Sequence, residues 1–288
     1  MSDLQTVSAL LNDAQARLTA VSGELARRDA EILLAFSLGT SASRLPLFDG
    51  PVSPEQLTRF QGLVAQRATG EPVAYIVGEQ EFWSLTFKVN EHTLVPRPDT
   101  ETLVEVGLQN LPDAAASRIL DLGTGSGCIL LSILCERPNG FGLGVDMSSG
   151  ALDIAKANAE RLGFAERCEF KKGDWFSPVD EADVFDLIVS NPPYIETADM
   201  QTLMSDVKDY EPATALDGGE DGLQCYRRIT ADATSFLRPG GTLAVEVGIG
   251  QDSAVSRLFE DAGFVDVSIH ADLAGVNRVV AGKKARES

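Results

Sequence analysis

The chain has 288 residues, of which 44% are hydrophobic, and a formal net charge of -19 from 43 acidic and 24 basic residues. That length accommodates one large domain and a smaller one, and the apolar share fills real cores, which excludes a disordered or fibrous chain. The charge argues against a broad phosphate-binding surface, and neither a leader pattern nor a membrane-length apolar window occurs, so a cytoplasmic protein is expected.

In chain order, residues 3 to about 70 read as helices, with Val7, Leu10, Leu11, Ala14, Leu18 and Val21 at helical spacing. A second helix carries Ala30, Leu33 and Leu34 and ends near Gly39. A third opens on Ser53-Pro54-Glu55-Gln56, where Ser53 and Gln56 form a capping box and Pro54 suits the first helical position. No catalytic cluster stands out in this stretch. Substrate recognition and a packing cap fit it equally.

From Pro72 to Pro96 the pattern becomes partly alternating and aromatic, with Phe82, Trp83, Leu85, Phe87 and Val89, and predicts a β-hairpin linking two domains. Pro98 and the acidic residues after it suit a helix start, leaving Arg97 as a site residue or a domain-bridging ion pair.

Strands and helices then alternate. The strand 117–122 runs into Gly123-Thr124-Gly125-Ser126-Gly127 and a helix from Cys128, a strand–glycine turn–helix pattern of the nucleotide-binding type. Its spacing is G-x-G-x-G, not the G-x-G-x-x-G of dinucleotide binders. Asp146 ends the next strand, where a carboxylate can accept from both hydroxyls of a ribose. A third strand, 168–172, leads to Asp174, a candidate acceptor for an adenine amino group, with Trp175 beside the ring. The two readings of that turn are a cofactor contact and a turn around a buried aromatic.

A fourth strand, 184–189, stops at Ser190-Asn191-Pro192-Pro193-Tyr194, because two prolines forbid further ladder bonds. Asn191 therefore sits at a strand's carboxyl end, where open α/β sheets bind ligands. The Asn191 side-chain oxygen and the Pro192 carbonyl can accept both hydrogens of a planar amino group, and Tyr194 can pack a ring against it. Residues 211–223 read as a long glycine-rich loop of the lid or substrate-contact kind, and the remaining pattern gives a helix, a strand, a helix and two strands. The four cysteines, at 128, 135, 168 and 225, lack zinc spacing, and His92 and His270 stand alone, so no metal is expected.

Asp121-Leu122-Gly123-Thr124-Gly125-Ser126-Gly127 with Asp146 resembles the cofactor site of class I S-adenosylmethionine-dependent methyltransferases, and Asn191 to Tyr194 resembles the acceptor motif of their amino-methylating branches. With Pro96-Arg97-Pro98-Asp99-Thr100-Glu101 and the helical front, residues 20 to 282 resemble the HemK/PrmC family, the glutamine methyltransferases of peptide chain release factors. The resemblance implies an α/β fold: a seven-stranded, mostly parallel Rossmann-like sheet with helices on both faces. It also implies an N-terminal helical substrate-recognition domain over 1–71, a β-hairpin linker over 72–96 and a methyltransferase domain over 97–288.

It further implies S-adenosyl-L-methionine as cofactor, with S-adenosyl-L-homocysteine as product, and class I release factors as partners. The implied cofactor contacts are Gly123, Thr124, Gly125, Ser126, Gly127, Asp146, Trp175 and Asn191, to which the reading of the turn adds Asp174. Asn191, Pro192, Pro193 and Tyr194 bind the acceptor, with Asn191, Pro192 and Tyr194 catalytic. An adenine-N6 methyltransferase acting on DNA or RNA, which also meets a planar amino group, is the alternative within this chemistry. A cofactor-binding scaffold without catalysis is the alternative outside it.

Overall fold

The computed structural model describes residues 6–111 and 116–286. Its contacts divide the chain into two units, one of residues 1–79 with 204–210 and one of residues 80–203 with 211–288.

The first unit is helical: α1 (Val7–Ser22), α2 (Ala26–Leu38), α3 (Pro54–Ala68) and α4 (Val73–Val77). Leu10, Leu11, Leu18, Leu33, Leu34, Phe60 and Val64 lie at helical spacing and close one apolar core. Thr6 caps α1, Ser53 and Gln56 form a complete capping box on α3, and α2 ends on Gly39 in the left-handed conformation. Arg67, 5% exposed, holds Asp29 at 2.9 Å and Asp206 at 3.3 Å, so the segment 204–210 is fastened into this unit.

The region expected to be hairpin from Pro72 onward begins as α4 instead, entered from Pro72 and closed by left-handed Gly78. The hairpin proper is β1 (Glu79–Phe82) and β2 (Leu85–Lys88), turning on Trp83 and Ser84, both at positive φ. Phe82 and Phe87 are buried in the core of the second unit, so the hairpin is part of that unit's packing as well as a connection.

After the hairpin come α5 (Glu101–Gln109), β3 (Arg118–Leu122), α6 (Cys128–Glu136), β4 (Phe141–Asp146), α7 (Ser149–Leu162), β5 (Cys168–Lys172) and β6 (Phe185–Ser190). Then α8 (Ser205–Lys208), α9 (Gln224–Phe236), β7 (Leu237–Glu246), α10 (Asp252–Asp261), β8 (Phe264–Ala271) and β9 (Asn277–Lys284) complete the chain. The seven-stranded sheet has the order β5-β4-β3-β6-β7-β9-β8. The first five strands pair in parallel, and β9 runs antiparallel between β7 and β8.

Strand periodicity distributes the core to both faces. Ile119, Leu187, Val189 and Ala244 join the cluster that holds buried residues of α5, α6 and the hairpin. Leu120, Leu122, Ile188, Leu243 and Val245 join Tyr226, Ile229, Val255 and Phe259 of α9 and α10 on the other face. Each such aliphatic side chain taken fully out of water contributes about 1.5–3 kcal/mol. The order reverses between β3 and β6, and the strand register sets Leu122 opposite Ser190 and Ser190 opposite Val245. The carboxyl ends of β3, β6 and β7 therefore lie side by side at the switch point where such sheets bind ligands.

Candidate active site

The glycine turn after β3 is held by its backbone. Gly123 and Thr124 donate to the Val145 carbonyl at 2.8 and 3.0 Å, and Gly127 donates to the Thr124 carbonyl at 2.8 Å. Gly123, Gly125 and Gly127 have φ of 70°, 55° and 80°, a region closed to most side chains. A Cβ on Gly125 would find only the Gly123 carbonyl oxygen, at 4.0 Å, so the space over the turn is open. Trp175 borders it, with Cζ3 3.8 Å from the place of a Cβ on Gly123. The Ser126 carbonyl is fixed from below by buried Asn158, whose Nδ2 donates to it at 2.9 Å and also to the Lys88 carbonyl at 3.0 Å.

Asp146 faces this turn. Its Oδ2 accepts from the Gly125 N–H at 2.9 Å and its Oδ1 from the Ser148 N–H at 2.8 Å, while Ser148 itself caps α7. Burial raises the Asp146 carboxyl above the ordinary range, and the N–H groups of Ser148, Gly125 and Met147 oppose that rise. Asp121 is fully buried beneath the turn; Oδ2 accepts from the Thr124 hydroxyl at 2.7 Å, and the Leu130 N–H also hydrogen bonds to the carboxylate. Burial pushes its carboxyl up to about 7.

Asp174 Oδ2 accepts from Arg228 Nη2 at 2.6 Å, and its Oδ1 is buried without a hydrogen-bond partner among the described residues. Arg228, on α9, has no sequence signal that announces this pairing.

On the other side of the switch point, the Ser190 hydroxyl donates to the Leu122 carbonyl at 2.7 Å and ties the acceptor motif to the root of the glycine turn. Asn191 Nδ2 donates to the Thr100 hydroxyl oxygen at 3.3 Å, and the Asn191 side chain also hydrogen bonds to Glu246. With its amino group turned inward, the carboxamide presents Oδ1 as an acceptor. Burial pushes the Glu246 carboxyl up to about 7, against hydrogen bonding from Thr100, the charge of Arg278 and hydrogen bonding from Asn191. Pro192 is buried, and Pro193 and Tyr194 are partly buried. Burial and the nearby Glu246 charge push the Tyr194 hydroxyl up to about 12.

The segment 211–223, expected as a lid-like loop, is hydrogen bonded to the acceptor motif's continuation. Ile195 donates to the Leu216 carbonyl at 3.0 Å, Gly218 to the Ile195 carbonyl at 2.8 Å and Thr197 to the Gly219 carbonyl at 3.0 Å. Gln251 Nε2 donates to the Tyr194 carbonyl at 2.9 Å. A Cβ on Gly218 would lie 2.7 Å from Tyr194 Cα, so only glycine lets the two backbones meet. Arg97 pairs with Glu211 at 2.6 Å, an ion pair within the second unit that fastens the start of this segment.

Thr100 and Glu246 join the candidate site beside Asn191: Thr100 lies in the Pro96–Glu101 run with no role assigned to it, and Glu246 lies in no motif. Thr100 reads as part of a helix start, and Glu246 as one residue of an apolar strand. Its signal is the carboxylate in Leu243-Ala244-Val245-Glu246-Val247, a charge where the pattern demands none. Among the described residues, no group of three or more His, Cys, Asp or Glu is arranged to hold a metal ion, and no helix is long and apolar enough to cross a membrane.

A sheet of this order, with a glycine turn and an amide acceptor facing each other across its reversal, defines the class I S-adenosylmethionine-dependent methyltransferase fold. A methyltransferase from Pyrococcus furiosus shares the fold with a TM-score of 0.53 at 17% identity, covering 78% of this chain and 98% of its own. Residues 9–78 match the model described as PrmC N-terminal domain, and residues 113–262 match one described as methyltransferase domain. A release factor glutamine methyltransferase of Geobacter sulfurreducens is 44% identical over 98% of both chains. One of Rhodospirillum rubrum is 45% identical over 96% of this chain and 84% of its own. The chain belongs to the release factor glutamine methyltransferase family.

Proposed function

We propose that this protein transfers a methyl group from S-adenosyl-L-methionine to the side-chain amide nitrogen of the glutamine in the Gly-Gly-Gln loop of a class I peptide chain release factor. Such a substrate places its work in the cytoplasm. The observation that carries the reading is the orientation of Asn191, whose amino group is engaged by Thr100 and Glu246 so that its oxygen is offered outward.

The residues at the switch point fit the cofactor. The open space at Gly125, bordered at Gly123 by Trp175, admits close approach of a ligand, Asp146 is oriented by two backbone N–H groups to accept from ribose hydroxyls, and Trp175 with Asp174 suits an adenine ring. When bound, S-adenosylmethionine supplies an electrophilic methyl group on a sulfonium centre.

An amide nitrogen is a weak nucleophile because its lone pair is delocalised into the carbonyl. Asn191 Oδ1 and the Pro192 carbonyl accept its two N–H bonds, which aims the nitrogen and favours its partial pyramidalisation. Transfer would exchange the methyl–sulfur bond for the new N–C bond and leave the cofactor as its neutral thioether; the methylated nitrogen would then be acidic and lose one N–H proton through these acceptors to water. Tyr194 packs beside the acceptor as a neutral phenol, since its hydroxyl is held far above physiological pH. The formal charge of -19 favours a partner with a basic, RNA-binding surface over a nucleic acid.

Mass spectrometry of class I release factors from cells with and without this protein tests the reading. One added methyl on the loop glutamine, present only with the protein, is expected; an unmodified glutamine in both preparations contradicts it.

A further inference from the structure

Glu246 ends β7 and is 3% exposed, directly after the buried apolar run Leu243-Ala244-Val245. A carboxylate so placed is costly unless its neighbours are arranged to offset the burial. By strand alternation it shares the sheet face of Ala244, which packs in the cluster containing α5. Thr100, at the entry to α5, and Asn191 both hydrogen bond to it, and its Oε2 has no hydrogen-bond partner among the described residues. Arg278 acts on it through space and is itself held by Asp99 at 2.6 Å and Asp272 at 3.0 Å.

The directions of these bonds follow from what each group can give. With Oε2 unpartnered, the other Glu246 oxygen meets both side chains and accepts whether the carboxyl is ionised or carries its proton on Oε2; a hydroxyl donates one proton and accepts, and a carboxamide donates from nitrogen and accepts at oxygen. Thr100 accepts from Asn191 Nδ2, so its own proton is available to Glu246. Rotating the Asn191 amide by half a turn would set Oδ1 against the carboxylate, acceptor against acceptor. It would also offer Nδ2 to the incoming N–H, donor against donor.

We propose that Glu246, acting through Thr100 and Asn191, is the positioning residue that keeps Asn191 Oδ1 turned toward the acceptor amide. The proposal rests on the reading of Asn191 as the acceptor-binding group. A buried acid serving only to hold the fold would affect stability and cofactor binding, whereas a positioning acid affects the rate of transfer and is silent once Asn191 is gone.

Steady-state transfer from S-adenosylmethionine to a class I release factor, with the full-length chain, tests this. Glu246→Gln should lower kcat about tenfold or more, as misplacement of a reacting group does. The KM for release factor and the calorimetric Kd for cofactor should each stay within about threefold. Thr100→Val should act in the same way, and Thr100→Ser, which restores the hydroxyl, should return to within about threefold of the parent. The double variant Asn191→Ala/Glu246→Gln should be no slower than Asn191→Ala alone, because coupled groups are not additive. Parental kcat in Glu246→Gln, or losses that multiply in the double variant, would overturn the proposal. Should Glu246→Gln fail to fold, the Thr100 pair decides: equal rates for Thr100→Val and Thr100→Ser would overturn it. A parent protein that transfers nothing to release factor would instead remove the reading of Asn191 on which this one stands.

Discussion

Gly125 donates its backbone N–H to Asp146 Oδ2 at 2.9 Å, so the glycine turn after β3 and the acid that ends β4 form one hydrogen-bonded cradle. Asp146→Ala removes this tie and, with it, the proposed ribose acceptor. Cofactor binding measured by calorimetry should weaken by about 1–3 kcal/mol, the range for a hydrogen bond to a charged group. Unchanged affinity in a folded variant would take Asp146 out of the ribose site.

Asn191→Ala keeps the Ser190 hydroxyl on the Leu122 carbonyl, which anchors the loop, and removes the side chain proposed to meet the acceptor. Methyl transfer should fall by about a hundredfold or more, the scale for losing a preorganised polar group at the reacting centre. Cofactor affinity should change much less. Near-parental turnover would contradict the proposed role.

Gly218 lies where a Cβ would approach Tyr194 Cα at 2.7 Å and the Pro193 carbonyl oxygen at 2.9 Å, both backbone atoms that cannot swing aside. Gly218→Ala should shift the acceptor motif, cost about 1–3 kcal/mol in unfolding free energy as overpacking does, and lower kcat while sparing cofactor affinity. A variant with parental kcat and stability would show that the motif tolerates the displacement.

The alternating apolar strands and the helix-period segments made the seven-stranded domain legible, because burial on both faces of the sheet dictates its pattern. The capping box at Ser53 and the left-handed end at Gly39 are local chemistry and were equally readable. Residues 73–77 were not: Val73, Ile76 and Val77 favour a strand, and tertiary packing into the first core overrides that preference. The interactions of the site were the least readable. Glu246 meets Thr100, Asp174 meets Arg228 and Arg97 meets Glu211 only after the chain has returned from far along the sequence, and no spacing rule encodes such meetings.

Two buried acids give a pH dependence of stability with a definite sign. Burial pushes Asp121 and Glu246 from ordinary carboxylate values up to about 7, so between about pH 4 and 7 the folded chain holds protons that the unfolded chain has released. Their contribution is fully present below about pH 4 and is lost as pH rises to about 7. Asp121→Asn and Glu246→Gln cannot ionise, so the melting temperature of each variant relative to the parent should climb by several degrees from pH 4 to pH 8. Thermal melts across that range check this, and variant curves parallel to the parent's would contradict it.

The central claim is that Asn191 and Pro192 receive a glutamine side-chain amide, and labelled methyl transfer in competition tests it most directly. The purified protein is given methyl-labelled S-adenosylmethionine with a class I release factor, the same factor carrying Gln→Ala in its Gly-Gly-Gln loop, and adenine-containing DNA and RNA. Label is expected on the native factor alone, at its glutamine. Label on nucleic acid, or on the Gln→Ala factor as well as the native one, would contradict it.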